Sequence, residues 1–386
     1  MEALRDCPLP LEILLHIMQC LLPRDADEIL PATSDVTKTL LGLSRTCRAL
    51  HPTASAMLRR HCMCIDSKAK ARRLARLLED GADGSGGRPG FPGRLQVSQM
   101  FLAPFPSPGA AEVGEDGSGW ARQDDDFDEM VDEDKEDDES TRSPLDDPPT
   151  AEAVRVMLKA FAPSLRRLVI DMPLRQLYPD EDRRGVRRTL RDGFEALAGL
   201  EELTSIRDEL FLAVHPDRSR GERPVWATCW PRLRRLALYN QDLSGADIWH
   251  HMCRHPSLEM AVFARPDMDQ DALPGSFDVK SAWFDACRST QLAGKQAREG
   301  ITLVFVDCGP LQPSFGVLGK LWRAMDPKHA VRVLLADVPP SSSGGRDEED
   351  CADPISLTQA FLVRHGLRGS LFDEAAMAVR PAVGDD

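Results

Sequence analysis

The stretches "SLRRLVIDM" (Ser164–Met172) and "RLRRLALYN" (Arg232–Asn240) share the pattern that decides the fold. Each has two leucines in an LxxL arrangement and then a short apolar run, which is typical of a buried strand. "GLEELTSIRDE" (Gly199–Glu209) repeats the LxxL, and "SLEMAVFARPD" (Ser257–Asp267) has a similar outline. The leading leucines are 35, 33 and 25 residues apart, whereas standard leucine-rich repeats have about 20–29 residues. Because helical stretches separate these runs, the pattern predicts parallel strands backed by helices.

Further segments extend this pattern in both directions. "RLQVSQMFL" (94–102), "ITLVFVDC" (301–308) and "AVRVLLADVP" (330–339) are predicted to be strands, and "ISLTQAFLVRHG" (355–366) is predicted to be a helix. The sequence therefore predicts one irregular strand–helix repeat domain over residues 94–380. A Gly-rich linker over 80–93 precedes it, and a tail over 381–386 follows it.

One segment carries most of the acidic charge. The formal net charge of the chain is −14, and the run Asp124–Glu139 holds twelve acidic residues and one lysine. From 103 to 149 the chain is rich in Pro, Gly, Ser and acidic residues and poor in aliphatic residues, so we predict a disordered insertion within the repeat domain. A solubilising loop and a binding segment, with Phe127 and Met130 set among the acids, both agree with this composition.

The sequence contains no signature of a catalytic site. It lacks the phosphate-loop, dinucleotide-binding, zinc-protease and nucleophile-elbow motifs. The ten cysteines are scattered and form no CxxC pair, which is typical of reduced thiols. In "HHMCRH" (His250–His255), His251 and His255 lie one helical turn apart, as in a zinc site or in a helix with surface histidines, and the second interpretation is favoured because no second ligand pair is present. We predict a protein that is not an enzyme and needs no cofactor or metal.

Two other groups have both a structural and a functional interpretation. The helix predicted over "SKAKARRLARLLED" (67–80) is basic, and a solvated face is favoured over a phosphate-binding patch because no aromatic residues are interleaved. Its basic residues are Lys68, Lys70, Arg72, Arg73 and Arg76.

Four aromatic residues are candidates for recognition of a target molecule, and packing in the core explains their presence at least as well. They are Trp226, Trp230, Tyr239 and Trp249.

The N-terminal stretch "LPLEILLHIMQCLL" (Leu9–Leu22) is predicted to be a helix that ends at Pro23. Its length would be about 21 Å, too short for a bilayer core of about 30 Å, and its flanks are not those of a signal peptide. Glu12, His16 and Gln19 share a sector of about 60°, whereas apolar side chains cover about 220°. This is more apolar surface than a small three-helix unit readily covers, which favours a partner interface over a fully buried core helix.

This helix resembles the start of an F-box. That family begins with Leu-Pro followed by Glu-Ile, as in "LPLEI" (Leu9–Ile13), and Ile17 and Leu21 continue its apolar series. "LLGLSRTCRALHP" (Leu40–Pro52) is similar to the second part of the motif. The connection between the two parts, "RDADEILPATSDVT" (Arg24–Thr37), is longer than usual for the family.

The later repeats are similar to those of a group of fungal F-box proteins with degenerate leucine-rich-like C-terminal halves. The matching stretches are "FEALAGLEELTSIRDELFL" (Phe194–Leu212) and "VWATCWPRLRRLALYN" (Val225–Asn240). With this resemblance, the predicted fold class is α+β. A three-helix F-box with the following basic helix occupies residues 6–79, and the leucine-rich-repeat-like domain with parallel strands follows the linker.

The resemblance implies the substrate-recognition subunit of a Skp–cullin–F-box ubiquitin ligase. The implied partners are a Skp-type adaptor, a cullin and a protein target, with no nucleic acid or membrane, and the implied location is the cytoplasm or nucleus. A non-catalytic scaffold that uses the F-box outside a ligase is the alternative. Carried over by position, the adaptor-binding candidates are Leu9, Pro10, Ile13, Ile17, Leu21, Leu43 and Leu50.

Overall fold

The computed structural model describes residues 9–23, 27–82, 96–105, 143–216, 222–267, 277–298, 300–308, 321–339 and 353–382. Most of the predicted disordered insertion lies outside the described residues, including all of Asp124–Glu139. So do residues 83–93 of the predicted linker and 383–386 of the predicted tail.

The chain begins with three helices that share a small apolar core. They are α1 (Leu11–Leu21), α2 (Asp35–Thr46) and α3 (His51–His61). Helix α1 starts directly after Pro10, and it ends before Pro23 as predicted. The core consists of Met18, Leu40, Leu50 and Ala54, with half-buried leucines around them. Among the helices that the structure describes, none is both long and apolar enough to span a bilayer.

A nine-stranded sheet follows, and its strands are ordered as in the sequence. They are β1 (Cys64–Ile65), β2 (Gln99–Leu102), β3 (Arg167–Ile170), β4 (Glu202–Ser205), β5 (Arg235–Tyr239), β6 (Met260–Ala264), β7 (Ile301–Val306), β8 (Val331–Ala336) and β9 (Arg380–Pro381). Strands β1 to β8 are parallel, which confirms the predicted strand direction, and β9 pairs antiparallel with β8. The LxxL leucines Leu168, Leu203 and Leu236 lie side by side in register.

One face of the sheet carries the connecting helices. These are α4 (Lys68–Ala82), α5 (Pro148–Phe161), α6 (Val186–Glu195), α7 (Val225–Thr228), α8 (Ala246–Arg254), α9 (Val279–Leu292) and α10 (321–325). A short 3-10 helix, Leu174–Gln176, follows β3. Side chains alternate along each strand, so that Leu168 and Ile170 point into the core under these helices while Val169 points to the second face. The structure is thus a mixed α/β fold with strand–helix repeats.

The C-terminal segment covers the second face. Helix α11 (Pro354–Arg368) packs Phe361 and Leu362 against this face, and the chain after it adds Leu371 and Met377 before forming β9. Gly366 lies so close to the sheet that an added Cβ would be 3.2 Å from a methyl group of Val169. Both faces are therefore buried, which explains why the strands read as continuous apolar runs.

Four predicted boundaries differ from the structure. Residues 80–82, placed in the Gly-rich linker, form the end of α4. Helix α4, grouped above with the F-box, packs on α5 and the sheet, because the two-residue strand β1 precedes it and pairs with β2. The ends of the predicted disordered insertion are ordered, since Phe105 and Leu145 are buried in the main core. Pro381, placed in the tail, forms part of β9.

The long connection between the two F-box-like parts attaches the three-helix unit to the sheet. The Ile29 side chain is buried against the second face, and its N–H donates to the Leu367 carbonyl of α11 at 2.7 Å. The N–H of Leu30 donates to the carbonyl of His61 at the end of α3, at 2.6 Å. The connection therefore bridges the last helix of the unit and the C-terminal segment.

Two side chains at the start of β2 and β3 strengthen this attachment. The Gln99 amide donates to the carbonyls of Arg60 at 2.9 Å and Glu28 at 3.2 Å. The buried Arg167 guanidinium donates to the carbonyls of Asp27 and Gly366. Because these bonds join segments that are far apart in sequence, they hold the unit in one orientation on the sheet.

Candidate functional site

Helix α1 has one face in the small core and one face in solvent. Met18 is buried, and Leu11, Leu14, Leu15 and Leu22 pack around the same core. On the opposite side Leu9, Ile13 and Ile17 recur every four residues, and their exposed fractions are 43%, 46% and 44%. We call these three residues the exposed stripe. Its side chains offer aliphatic surface and no titratable group, so it can bind an apolar groove but cannot perform chemistry.

The structure separates the other predicted adaptor-binding residues. Pro10 is exposed beside the stripe, and Leu21 is half-buried at its far end. Leu43 is half-buried against the small core, and Leu50 is 4% exposed within it, so the interface prediction is wrong for Leu50. The reason is that Leu50 directly precedes α3 and faces α1 and α2 across the core. The sequence analysis did not select Leu41, which is 42% exposed on α2.

These positions predict opposite effects of two substitutions. Leu50→Ala should lower the free energy of unfolding by about 2–4 kcal/mol because it leaves a cavity, whereas Leu41→Ala should change it by less than about 0.5 kcal/mol. Urea titration followed by circular dichroism measures both. Equal losses of stability would contradict the assignment of Leu50 to the core and Leu41 to the surface.

The aromatic candidates for target recognition belong to the core. The indole N–H of Trp230 donates to the Phe194 carbonyl at 2.8 Å, and that of Trp249 donates to the Leu243 carbonyl at 3.0 Å. All four are buried: Trp226, Trp230, Tyr239 and Trp249. The indole N–H groups of Trp230 and Trp249 thus secure loops between the repeats, and none of the four side chains is available to a target.

The histidine cluster on α8 is also structural. His255 is buried and accepts the N–H of Leu258 on Nδ1 at 3.1 Å, while its Nε2 lies 3.0 Å from the Trp230 carbonyl and donates to it. Burial lowers the pKa of His255, which favours this neutral form. The prediction of surface histidines is therefore wrong for His255. Among the residues that the structure describes, no three His, Cys, Asp or Glu side chains are placed to hold a metal ion.

The loops of the sheet domain lie at two opposite edges of the sheet. Because β1 to β8 are parallel, each loop after a strand lies at the carboxyl edge and each loop after a helix lies at the opposite edge. The loops at the opposite edge include 162–166, 196–201, 229–234 and 255–259. At the carboxyl edge the structure describes 103–105, 143–147, 171–185, 206–216 and 222–224. Parallel sheets bind their ligands outside the carboxyl ends of the strands, so this edge is the second candidate site.

Two buried ionisable side chains hold two of these loops together. Arg187 of α6 donates to four backbone carbonyls in the loops after β3 and β4, those of Leu174, Leu177, Phe211 and Ala213. Asp208 accepts backbone N–H groups from the same loops, those of Leu174, Leu210 and Phe211. Burial raises the pKa of Asp208 to about 7. Because nearly every polar atom of both side chains is engaged, the two loops are fixed to each other.

The fixed loops present an exposed aromatic ring. The ring of Tyr178 is 43% exposed and meets the edge of the Phe211 ring at a centroid distance of 5.8 Å. The Arg187 guanidinium lies 4.4 Å from the centre of that second ring. The sequence could have indicated that Arg187 is buried, because at helical spacing it lies on the same face of α6 as the apolar residues Leu190 and Phe194. Asp208 gave no such signal.

Neither a comparison with protein-family models nor one with curated protein sequences finds a match for this chain. The candidate sites are therefore defined by the residues themselves: the exposed stripe of α1 and the carboxyl edge of the sheet.

Proposed function

We propose that the chain is the substrate-recognition subunit of a Skp–cullin–F-box ubiquitin ligase. The exposed stripe of α1 is the observation that carries this proposal. Leu9, Ile13 and Ile17 are almost half exposed, although α1 and Leu22 directly after it already contribute five other apolar side chains to the small core. Aliphatic residues in such an arrangement are typical of a partner interface. They stand at the positions that the resemblance to an F-box assigns to the Skp-type adaptor.

In this proposal the sheet domain holds the protein target at its carboxyl edge. The helices cover one face of the sheet and the C-terminal segment covers the other, so neither face offers apolar strands to a partner. The loops at the carboxyl edge are long, and the buried Arg187 and Asp208 fix two of them. The proposed receptor acts in the cytoplasm or nucleus, has no catalytic role of its own and delivers the target to the cullin-bound enzymes.

The proposal predicts that a Skp-type adaptor and a cullin co-purify with the chain. The experiment expresses the tagged full-length chain in a fungal host and identifies the bound proteins by mass spectrometry. Recovery of both supports the ligase. Recovery of the adaptor without a cullin would favour the scaffold alternative, and recovery of neither would contradict the proposal.

A further inference from the structure

Two buried cysteines meet where α8 packs on α9. Cys253 lies near the end of α8 and Cys287 lies within α9, and their exposed fractions are 0% and 7%. The Cys253 Sγ atom is 3.3 Å from Oγ1 of Thr290, which follows Cys287 by one helical turn on α9. The two thiols also hydrogen-bond each other. Both sulfur atoms therefore occupy the same small region between two neighbouring repeats.

The loop after α9 joins the same two cysteines through one residue. The N–H of Arg298 donates to the Cys253 carbonyl at 2.9 Å, and the Arg298 carbonyl accepts the Cys287 thiol at 3.4 Å. Residues 291–296, which precede this contact, are exposed. The contact is therefore made by a loop at the protein surface. A molecule little larger than water needs only a small displacement of this loop to reach the sulfur atoms.

The hydrogen bond between the thiols makes the two sulfur atoms chemically different. The Cys287 thiol donates to the Cys253 sulfur and lowers the pKa of Cys253, although burial acts in the opposite direction. The same hydrogen bond and burial raise the pKa of Cys287. The pair thus loses a first proton readily and retains the second. This state combines a nucleophilic thiolate with a neighbouring thiol.

The other cysteines in the described part of the chain lack this arrangement. Burial raises the pKa of Cys62, Cys64 and Cys308. Cys62 and Cys64 are close in sequence, but Cys62 packs on the small core of the three-helix unit and Cys64 packs on the second face of the sheet. Proximity in sequence therefore does not bring these two thiols together, and they provide an internal control.

From these contacts we propose that Cys253 and Cys287 form a reversible disulfide when the chain meets a peroxide. Hydrogen peroxide oxidises the Cys253 thiolate to a sulfenic acid and releases hydroxide. The Cys287 sulfur then attacks the sulfenic sulfur, the S–S bond forms, and the hydroxyl group leaves with the Cys287 proton as water. The two sulfur atoms together lose two electrons, which the broken O–O bond takes up.

The bond would link α8 covalently to α9. Cys253 and Cys287 are 34 positions apart, and strand β6 lies between them in the chain. A disulfide that closes such a loop restricts the unfolded chain, so the oxidised protein resists heat better than the reduced protein. A thiol reductant reverses the change. This inference is independent of adaptor binding and of the proposed ligase.

The test treats the purified, reduced full-length chain with a small excess of hydrogen peroxide, blocks the remaining thiols with iodoacetamide and maps tryptic peptides by mass spectrometry. Cys253 lies in peptide 236–254 and Cys287 lies in peptide 281–288, and each peptide has one cysteine. These peptides should be joined in at least about half of the molecules and should separate on addition of dithiothreitol. The Tm of the oxidised chain should rise by at least about 3 °C.

Peptide 61–68, which contains Cys62 and Cys64, is the internal control, and both of its thiols should still react with iodoacetamide. Cys287→Ser should abolish the joined peptides and the rise in Tm, and circular dichroism checks that this variant is folded. If it is not folded, the peptide map of the unaltered chain decides.

Three results would overturn the proposal. The first is the absence of joined peptides at a peroxide concentration that already oxidises the exposed Cys20. The second is equal joining of peptide 236–254 to peptides with other cysteines, which would indicate unspecific oxidation. The third is a joined pair without a rise in Tm, which would contradict the stabilising link between α8 and α9.

Discussion

Replacing Ile13 and Ile17 together by aspartate should abolish binding of the Skp-type adaptor while the chain stays folded. Both side chains are almost half exposed, so the substitutions add charge to the surface and leave the small core intact. At an apolar interface, each buried aspartate would lose hydration without gaining a partner, which costs several kcal/mol per site and more than about 100-fold in affinity overall. Pull-down with purified adaptor measures this effect.

The matched control places the same charges on the polar side of the helix. His16→Asp with Gln19→Asp changes two exposed residues that lie outside the exposed stripe. This variant should bind the adaptor with an affinity close to that of the unaltered chain. If the Ile13/Ile17 variant is folded and still captures the adaptor, the stripe is not the adaptor interface.

Removing the Arg187 guanidinium should cost the largest amount of stability among single substitutions of charged residues in this chain. Arg187→Met would leave four backbone carbonyl oxygens without this donor, and the hydrogen bonds to two of them, those of Leu174 and Leu177, are fully buried. We expect a loss of about 3–5 kcal/mol in the free energy of unfolding, as for other broken buried charge networks. Urea titration followed by tryptophan fluorescence is suitable because Trp226 and Trp230 are buried nearby.

The adjacent residue provides the control for this prediction. Arg188 lies one position further on α6 and is exposed, so Arg188→Met should change stability by less than about 0.5 kcal/mol. Similar values for the two variants would contradict the role of Arg187 in holding the loops after β3 and β4. A loss confined to the Arg187 variant would also predict faster proteolysis within residues 171–185 and 206–216, since these loops would separate.

Local patterns were sufficient for several elements. Pro10 and Pro23 located the two ends of α1, and the LxxL repeats located β3, β4 and β5, whose leucines the structure places side by side. These predictions succeed because helix capping and side-chain alternation depend on residues that are close in sequence. Strand β1 was missed because two residues, Cys64 and Ile65, are too few to show any period.

The candidate sites were less accessible from the sequence. The apolar arc of α1 indicated an interface, but the same periodicity describes Met18 in the core and Ile17 in solvent. For the same reason Leu50, predicted to lie at the interface, is buried, whereas Leu41, which was not selected, is exposed. The sequence pattern shows towards which side of its own helix a side chain points. Only the packing of neighbouring elements decides whether that side is buried.

The sequence by itself determined most of the strands and helices, the parallel direction of the sheet and the excess of apolar surface on α1, because these follow from spacing along the chain. The tertiary structure decided which surfaces remain free. It covers the second face of the sheet with α11, where Gly366 packs on Val169, and it fixes the three-helix unit to the sheet through Arg167. These contacts join residues that are up to 199 positions apart in the chain. The local spacing of apolar residues does not specify which distant segment will pack on a given surface.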